Sequence, residues 1–322
     1  MSWDLIADIG GTNARFAMVR DGEITREKTF PTKGDHGLLD AISMYLDGVN
    51  STPDRVILAA AGTVSQGHVK LTNADQQIDI TSVQELCKTK DVAFINDFAA
   101  AAWSLATVTQ SDVSTIQGMD EIPTGNRLII GPGTGLGVGM LILTGQGYFA
   151  VPGEGGHVRI APTDAFETKV FDAFKSIWPE TLMAKDGLHF EAEAFLSGTG
   201  LPQLYRAVCF ALNCKPTLNT PKDILVAAEQ NTEQAAIKTA EIFQKHLGFV
   251  AGDLSLAMSA SGGVFIAGGV VAANPWLLNQ SFIDAFNAGG RFSAARKNTP
   301  VYLYQNTRFG LIGAANALGK TG

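Results

Sequence analysis

Cysteine is scarce in this sequence, and it is not clustered. There are three cysteines, an odd number, at Cys87, Cys209 and Cys214. Their separations do not match the spacing of metal-ligating cysteines. The count and the spacing therefore predict reduced thiols in a cytoplasmic protein.

Long apolar runs and an excess of basic charge are also missing. No run of 18 or more apolar residues predicts a membrane span, and the first residues lack the basic and apolar regions of a signal peptide. The formal net charge of −7 argues against a general nucleic-acid or membrane surface. With 322 residues, 46% of them hydrophobic, the sequence predicts a soluble globular protein of one large or two medium domains.

Glycine, by contrast, is plentiful, with 35 residues, and several of them lie in two turns between apolar runs. Residues 5–19 predict a buried strand, a tight turn at Gly10-Gly11-Thr12 and a second strand that pairs back on the first. Backbone N–H groups of such a turn can converge on an anion. Asp8, at the end of the first strand, lies where a hydrated Mg²⁺ would be held. An ordinary hairpin remains the alternative.

The second glycine turn repeats this design about one domain length downstream. Residues 128–143 predict a strand, a glycine-rich turn that contains Gly133, Thr134 and Gly135, and another strand. Neither turn matches the P-loop or the dinucleotide-binding glycine motif. A hairpin required for packing is again possible, but the recurrence favours two turns that offer backbone donors to one polyphosphate.

Residues 8–15, Asp-Ile-Gly-Gly-Thr-Asn-Ala-Arg, resemble the first phosphate motif of the actin-like sugar kinases, and most closely that of the bacterial glucokinase family. The resemblance implies an α/β, two-domain actin-like ATPase (ribonuclease H-like) fold, with mixed sheets flanked by helices and a ligand cleft between the domains. It implies a small domain of residues 1–108 plus 308–322 and a large domain of residues 109–307. It also implies ATP and Mg²⁺ as cofactors and a homodimer. The chain lacks the Cys-x-Cys cluster of the related zinc-bearing family, so we expect no structural zinc.

A strand of residues 92–95 runs directly into Asn96 and Asp97, and then into an alanine-rich helix. A carboxylate at the carboxyl end of such a strand points into the crevice where α/β sheets bind ligands. Both residue types are also ordinary helix caps, and Asp97 can serve as cap and as base. In the glucokinase motif that this segment resembles, the aspartate is the catalytic base and the asparagine binds the sugar.

The sugar-binding residues that the resemblance implies come from three further segments. Glu154 and His157 lie in a glycine-rich loop. The alternative interpretation is a solvated loop that has no binding role. A helix is predicted from His189, and its Glu193 precedes Leu-Ser-Gly by three residues, as in the family, so Glu191 is expected to be solvated. Asn73 matches the sugar-side loop, although Gln76 stands where the family has tryptophan.

An adenosine motif and a phosphate site complete the prediction. A buried strand that ends in Gly268 and Gly269 would let a purine ring lie against the backbone, although a plain strand-to-helix turn is the alternative. The cofactor-binding residues implied by the resemblance are Ala7, Asp8, Ile9, Gly10, Gly11, Thr12, Gly133, Thr134, Gly135, Gly268 and Gly269.

These residues and the resemblance predict ATP-dependent phosphorylation of D-glucose to glucose 6-phosphate, with Asp97 as general base and with domain closure around the sugar. The expected partners are glucose and ATP, with no nucleic acid and no membrane. The alternatives are a kinase for another hexose or an amino sugar, a non-catalytic nucleotide-dependent sugar sensor, and an actin-like structural ATPase.

Overall fold

The computed structural model describes residues 2–10, 13–32, 37–49, 51–60, 62–65, 68–71, 77–184 and 187–320. The chain forms two compact units. The first comprises Met1–Thr109, Gly139–Gly153 and Asn306–Gly322, and the second comprises Gln110–Val138 and Glu154–Gln305. This division differs from the predicted one chiefly in residues 139–153, which belong to the first unit.

Short strands and helices alternate along the chain. The strands of the described residues are β1 (Asp4–Ile9), β2 (Asn13–Arg20), β3 (Glu23–Pro31), β4 (Arg55–Ala60), β5 (Gly62–Ser65), β6 (His68–Leu71), β7 (Gln77–Asp79), β8 (Val92–Asn96), β9 (Val113–Gln117), β10 (Arg127–Pro132), β11 (Leu136–Thr144), β12 (Gly147–Val151), β13 (Arg159–Ile160), β14 (Phe190–Glu191), β15 (Val264–Ile266) and β16 (Val301–Tyr304). The helices are α1 (Leu38–Asp47), α2 (Ile80–Cys87), α3 (Asp97–Ser104), α4 (Ala165–Ile177), α5 (Leu201–Ala211), α6 (Pro221–Glu229), α7 (Gln234–Ala257), α8 (Gly269–Ala273), α9 (Gln280–Asn287), α10 (Ser293–Lys297) and α11 (Phe309–Ala317).

The first unit is built on a five-stranded sheet of order β3-β2-β1-β4-β8. β1 pairs antiparallel with β2 and parallel with β4, and β4 pairs parallel with β8. Leu5 and Ala7 of β1 belong to the core cluster that includes Ile42 and Tyr45 of α1. Since side chains alternate between the faces of a strand, Asp8 lies on the opposite face, which α11 covers. The two predicted strands within residues 5–19 and their antiparallel pairing are confirmed.

Residues 139–153 form a hairpin within the first unit. Met140 of β11 pairs with Val151 of β12, and Phe149 makes an edge-to-face contact with Trp103 of α3, with 6.0 Å between the ring centroids. This aromatic contact to α3 explains why the hairpin belongs to the first unit.

The strands β5, β6 and β7 form a small antiparallel sheet in the first unit. Asn73 and Gln76 lie outside the described residues. Helix α2 is capped by Asp79, whose side chain accepts from the N–H of Thr81 at 3.1 Å.

The second unit contains a sheet in which β10, β15 and β16 are parallel and β9 is antiparallel. β10 also neighbours β11, whose beginning belongs to this unit. The 24-residue helix α7 packs closely on α9 because it has glycine at the crossing. A Cβ on Gly248 would lie 2.8 Å from Cβ of Ala285, and a Cβ on Gly252 would lie 2.5 Å from the carbonyl oxygen of Phe286.

Both large sheets mix parallel and antiparallel strands and pack against helices, which confirms the predicted α/β class. In the part of the chain that the structure describes, no helix is both long and apolar enough to span a bilayer.

Candidate active site

Asp8 is held at the carboxyl end of β1 by tight packing on α11. It pairs in register with Arg15 of β2, and a Cβ on Gly310 would lie 2.6 and 2.7 Å from its two carboxylate oxygens. Gly310 lies in the first turn of α11, where the helix dipole favours an anion. Burial raises the pKa of Asp8, and the charge of Arg15 opposes that rise. Asp8 is therefore a half-buried carboxylate in a fixed position.

The turn after Asp8 is closed by its own first glycine. The N–H of Gly10 donates to the carbonyl of Asn13 at 2.9 Å, and the hydroxyl of Thr32 donates to the carbonyl of Gly10 at 3.3 Å. Ala7 and Ile9 are buried within β1. Gly11 and Thr12 lie outside the described residues. The N–H of Gly10, which was predicted to donate to a phosphate, is therefore already bonded to the backbone of β2.

Asn96 and Asp97 lie at the junction of β8 and α3. Asn96 is the helix cap, because its Oδ1 accepts from the N–H groups of Phe98 and Ala99 at 2.8 and 3.3 Å. Asp97 occupies the first helical position, and its Oδ1 accepts from the N–H of Phe98 at 2.9 Å. The expectation that Asp97 also serves as the cap is therefore wrong. Both side chains are half-buried.

The strand register brings Asp8 and Asp97 to the same edge of the first sheet. Ile9 lies opposite Ala60 of β4, and Ala60 lies opposite Asn96 of β8. Adjacent strands are about 4.8 Å apart, so the strand ends that carry the two aspartates are separated by roughly 10 Å.

In the second unit, the carbonyl groups of the glycine turn after β10 accept hydrogen bonds from a segment that lies on one side of the turn. The N–H of Gly198 donates to Gly133 O at 2.7 Å, and the N–H and the hydroxyl of Thr199 donate to Thr134 O at 3.2 and 2.9 Å. In a planar trans peptide the N–H points away from the carbonyl. The N–H groups of Thr134 and Gly135 therefore point away from this segment. The N–H of Gly133 already donates to Gly135 O at 2.8 Å.

Glu193 supports this turn directly. Its Oε2 accepts from the N–H of Leu136 at 2.8 Å, and a Cβ on Gly135 would overlap the same oxygen. The predicted helix from His189 is instead strand β14 followed by a 3-10 turn at Ala192–Ala194. The backbone at Glu191 is extended, so successive side chains point to opposite faces and contact different neighbours. Side chains in a helix would not alternate in this way.

Glu154 and His157 flank a buried turn that packs on the start of β11. The N–H of His157 donates to Glu154 O at 3.1 Å, and a Cβ on Gly156 would overlap the carbonyl oxygen of Leu136. The imidazole Nδ1 lies 2.7 Å from Oε2 of Glu191. Glu191 was expected to be solvated, and that expectation is wrong.

The local charges affect the titration of His157. Burial alone would lower the pKa of the imidazole, but the hydrogen bond to Glu191 and the charges of Glu193, Glu191 and Glu154 outweigh it and raise the pKa. Sequence reasoning missed this pair because its partners are 34 positions apart and meet only through the pairing of two very short strands.

Gly268 and Gly269 follow β15, beside the end of β10. Gly268 has φ = +89°, and a Cβ there would lie 2.5 Å from Pro132 O, so the backbone itself requires glycine. Gly269 begins α8, and a Cβ added there would meet nothing within 4 Å. The open space is thus at Gly269, and the close packing is at Gly268. Among the described residues, no group of three or more His, Cys, Asp and Glu side chains forms a candidate metal site.

Comparison with known proteins gives a consistent result. The family model described as Glucokinase matches residues 5–321. The glucokinase of Nitrobacter hamburgensis is 34% identical over 315 residues, which cover 97% of this chain and 96% of that protein. The glucokinase of Sinorhizobium fredii is 36% identical over 97% of this chain and 90% of that protein. The crystal structure of a glucokinase from an Antarctic psychrotroph has a TM-score of 0.87 at 30% identity, with 100% of both chains covered. The chain therefore belongs to the glucokinase family.

Proposed function

We propose that the protein transfers the γ-phosphoryl group of ATP to the 6-hydroxyl of D-glucose, with Asp97 as the general base. One observation carries the assignment of roles: the register of β1, β4 and β8 brings Asp8 and Asp97 to one edge of a sheet, roughly 10 Å apart. Membership of the glucokinase family supports the choice of substrates.

The nucleotide would be held mainly through backbone donors. The N–H groups of Thr134 and Gly135 point to one side of their turn, where they can donate to phosphate oxygens. Gly11 and Thr12 would supply further donors from the turn after Asp8, whereas the N–H of Gly10 is already bonded to the carbonyl of Asn13. Neither turn needs a long cationic side chain for this, because several aligned N–H groups already form an anion site. The open space beside Gly269 would accept the adenosine.

Asp8 fits a role beside a hydrated magnesium ion. Mg²⁺ in phosphoryl-transfer sites is usually held by one or two carboxylates, water and substrate phosphates, and Asp8 supplies one half-buried carboxylate. When bound with ATP, Mg²⁺ supplies neutralisation of the charge on the transferred group. Asp8 would orient its hydration shell, and the packing on Gly310 would keep the carboxylate in place.

The acceptor sugar would be held by hydrogen bonds and activated by Asp97. Glu154 and Glu193 can each accept hydrogen bonds from two hydroxyls, and His157 offers a ring nitrogen. The side-chain amide of Asn96, and Asn73, would bind further hydroxyls. Asp97 would accept the proton of the 6-hydroxyl as that oxygen attacks phosphorus, an effect worth roughly 10²–10⁴ in rate.

The test is the variant Asp97→Asn, assayed by ADP release with Mg-ATP and glucose. We expect kcat to fall by about 10²–10⁴-fold while glucose still binds, because the amide keeps the size of the side chain but cannot act as the base. Asp40→Asn is the matched control, since Asp40 also lies in the first turn of a helix, where it accepts from Gly37 N–H. A kcat within twofold of the wild type for Asp97→Asn would refute the proposed base.

The identity of the sugar is tested in the same assay with a panel of hexoses and amino sugars. Preference for glucose supports the proposal, and preference for another sugar would keep the mechanism while changing the substrate. ATP binding without stimulation by any sugar would support a sensor instead. We also propose a cytoplasmic homodimer, which sedimentation at assay concentration tests; a monomeric mass would contradict it.

A further inference from the structure

We propose that Glu191 is a positioning residue for His157: its carboxylate accepts the Nδ1–H of the imidazole and leaves Nε2 to accept a hydrogen bond from a sugar hydroxyl. This inference rests on the proposed function, because it assigns a role to one more residue of the same site. It adds a residue that the sequence pattern had placed in solvent.

The contact itself defines the proton position. Nδ1 of His157 and Oε2 of Glu191 are 2.7 Å apart. An ionised carboxylate can only accept hydrogen bonds, so the proton of a neutral imidazole must lie on Nδ1. The His157 side chain is 45% exposed and that of Glu191 is 28% exposed. The ring thus remains accessible while its Nδ1 side is occupied.

The backbone holds this pair together, in contrast to an ordinary surface ion pair. β13 and β14 pair antiparallel, with Arg159 opposite Glu191 and Ile160 opposite Phe190. The N–H of Ala192 donates to Val158 O at 2.8 Å. His157 lies just before one strand of this pair, and Glu191 ends the other. The strand pairing therefore already restrains both residues, and their ion pair costs less conformational entropy than an ordinary exposed pair.

The position of Glu191 is anchored further by its neighbour in the core. Phe190 is fully buried and packs on Phe171, Phe174 and Phe195, with ring centroids 5.8, 5.1 and 5.6 Å away. Because side chains alternate along an extended segment, the burial of Phe190 turns Glu191 to the other side. Side chains locked in this way preorganise a binding site.

Glu191 and Glu193 divide two tasks between them. Glu193 binds the N–H of Leu136, next to the second glycine turn, and Glu191 binds His157. The short segment of residues 191–193 therefore contacts both the backbone next to the second glycine turn and the imidazole of His157. The charged groups that act on His157 are Glu154, Glu191 and Glu193, and Arg159 lies across the strand pair from Glu191.

The first test measures the tautomer of His157 by ¹⁵N–¹H correlation NMR without sugar, at a pH where the ring is neutral. We expect the Nδ1–H tautomer in the wild type and in Glu191→Gln, whose amide oxygen can still accept. Glu191→Ala should change to the Nε2–H tautomer that free imidazole prefers in water. Glu180→Gln, at an exposed glutamate, is the control and should match the wild type.

The second test separates sugar binding from chemistry. In Glu191→Ala we expect KM for glucose to rise about five- to twentyfold, which corresponds to the loss of one oriented hydrogen bond. We expect kcat and KM for ATP to stay within about twofold, because Glu191 does not touch the reacting atoms. Glu191→Gln should lie between the wild type and the alanine variant, which is rescue by the conservative change.

Two results would overturn the proposal: persistence of the Nδ1–H tautomer in Glu191→Ala, or an unchanged KM for glucose despite the tautomer change. If Glu191→Ala does not fold, Glu191→Gln still decides, because loss of the charge should lower the pKa of His157 measured by NMR. An unchanged pKa would then overturn it. If the wild type phosphorylates no hexose, the proposed function fails, and the tautomer measurement still tests the role of Glu191.

Discussion

Gly310→Ala is the sharpest test of the role of Asp8, because it leaves Asp8 itself unchanged and places a methyl group against the carboxylate. The new Cβ would lie 2.6 and 2.7 Å from the carboxylate oxygens of Asp8, whereas ordinary contact begins near 3.4 Å. The backbone of β1 cannot retreat, since Asp8 is paired with Arg15 on one side and with Ala59 on the other. The new Cβ would also overlap Cγ of Asp8, so the whole carboxylate group must shift by about 1 Å to restore ordinary contact.

Gly310→Ala is expected to lower the catalytic rate more than the stability of the fold. Overpacking destabilises the fold by about 1–3 kcal/mol, whereas alanine in place of glycine inside a helix stabilises it by about 1 kcal/mol. A misplacement near 1 Å can lower the rate by about 10²-fold, so we expect kcat with Mg-ATP to fall by about 10- to 100-fold. The affinity for glucose should change little.

The assay measures kcat and KM for Mg-ATP at saturating glucose, together with the thermal unfolding midpoint. Gly145→Ala is the control, since a Cβ there meets nothing within 4 Å. That control should leave the kinetics and the unfolding midpoint unchanged. A folded Gly310→Ala protein with kcat and KM for Mg-ATP within twofold of the wild type would show that the position of Asp8 does not limit phosphoryl transfer.

Two further predictions follow from the geometry of the second unit. Gly268→Ala should destabilise the protein by about 1–3 kcal/mol in chemical unfolding, because φ is +89° and Pro132 O is close. Gly269→Ala should leave stability nearly unchanged but raise KM for ATP; equal losses of stability would contradict this contrast. Burial alone would raise the pKa of Glu167, but hydrogen bonds from His246 and other neighbours lower it to about 2. Since the folded pKa lies below 4.5, Glu167 stabilises the fold above about pH 4.5 and loses that effect as the pH falls toward 2. Glu167→Gln should therefore flatten the acid limb of the stability curve, and an unchanged limb would refute the assignment.

The elements that were predictable from sequence are those whose signal is local. The strands on either side of Gly10 are continuous apolar runs, and such runs are typical of strands buried on both faces. The β5–β6 hairpin was missed because its strands are four residues long and lack such a run. A short polar segment forms strands when tertiary pairing supports it, and local propensity does not reveal that pairing.

The errors around the site have the same cause. Asn96 and Asp97 are both good capping residues, so composition alone could not decide which one caps α3. Glu191 ends strand β14 and Glu193 lies in the 3-10 turn that follows, so the two glutamates meet different neighbours. Those neighbours, His157 and Leu136, are distant in sequence. Residue types predicted the chemistry, whereas non-local pairing determined the partners.

Leu136 shows how the second unit links its two ligand-facing segments. Its N–H is bound by Glu193, and its carbonyl oxygen lies so close to Gly156 that a side chain there would overlap it. The peptide groups of one residue thus fix the glutamate beside the phosphate turn and the turn that carries His157. Because both segments contact Leu136 at the start of β11, the second glycine turn and the turn that carries His157 hold a set spacing within this unit. Under the proposed function, this preorganisation would lower the cost of aligning the two substrates, which is the main demand that phosphoryl transfer places on an enzyme.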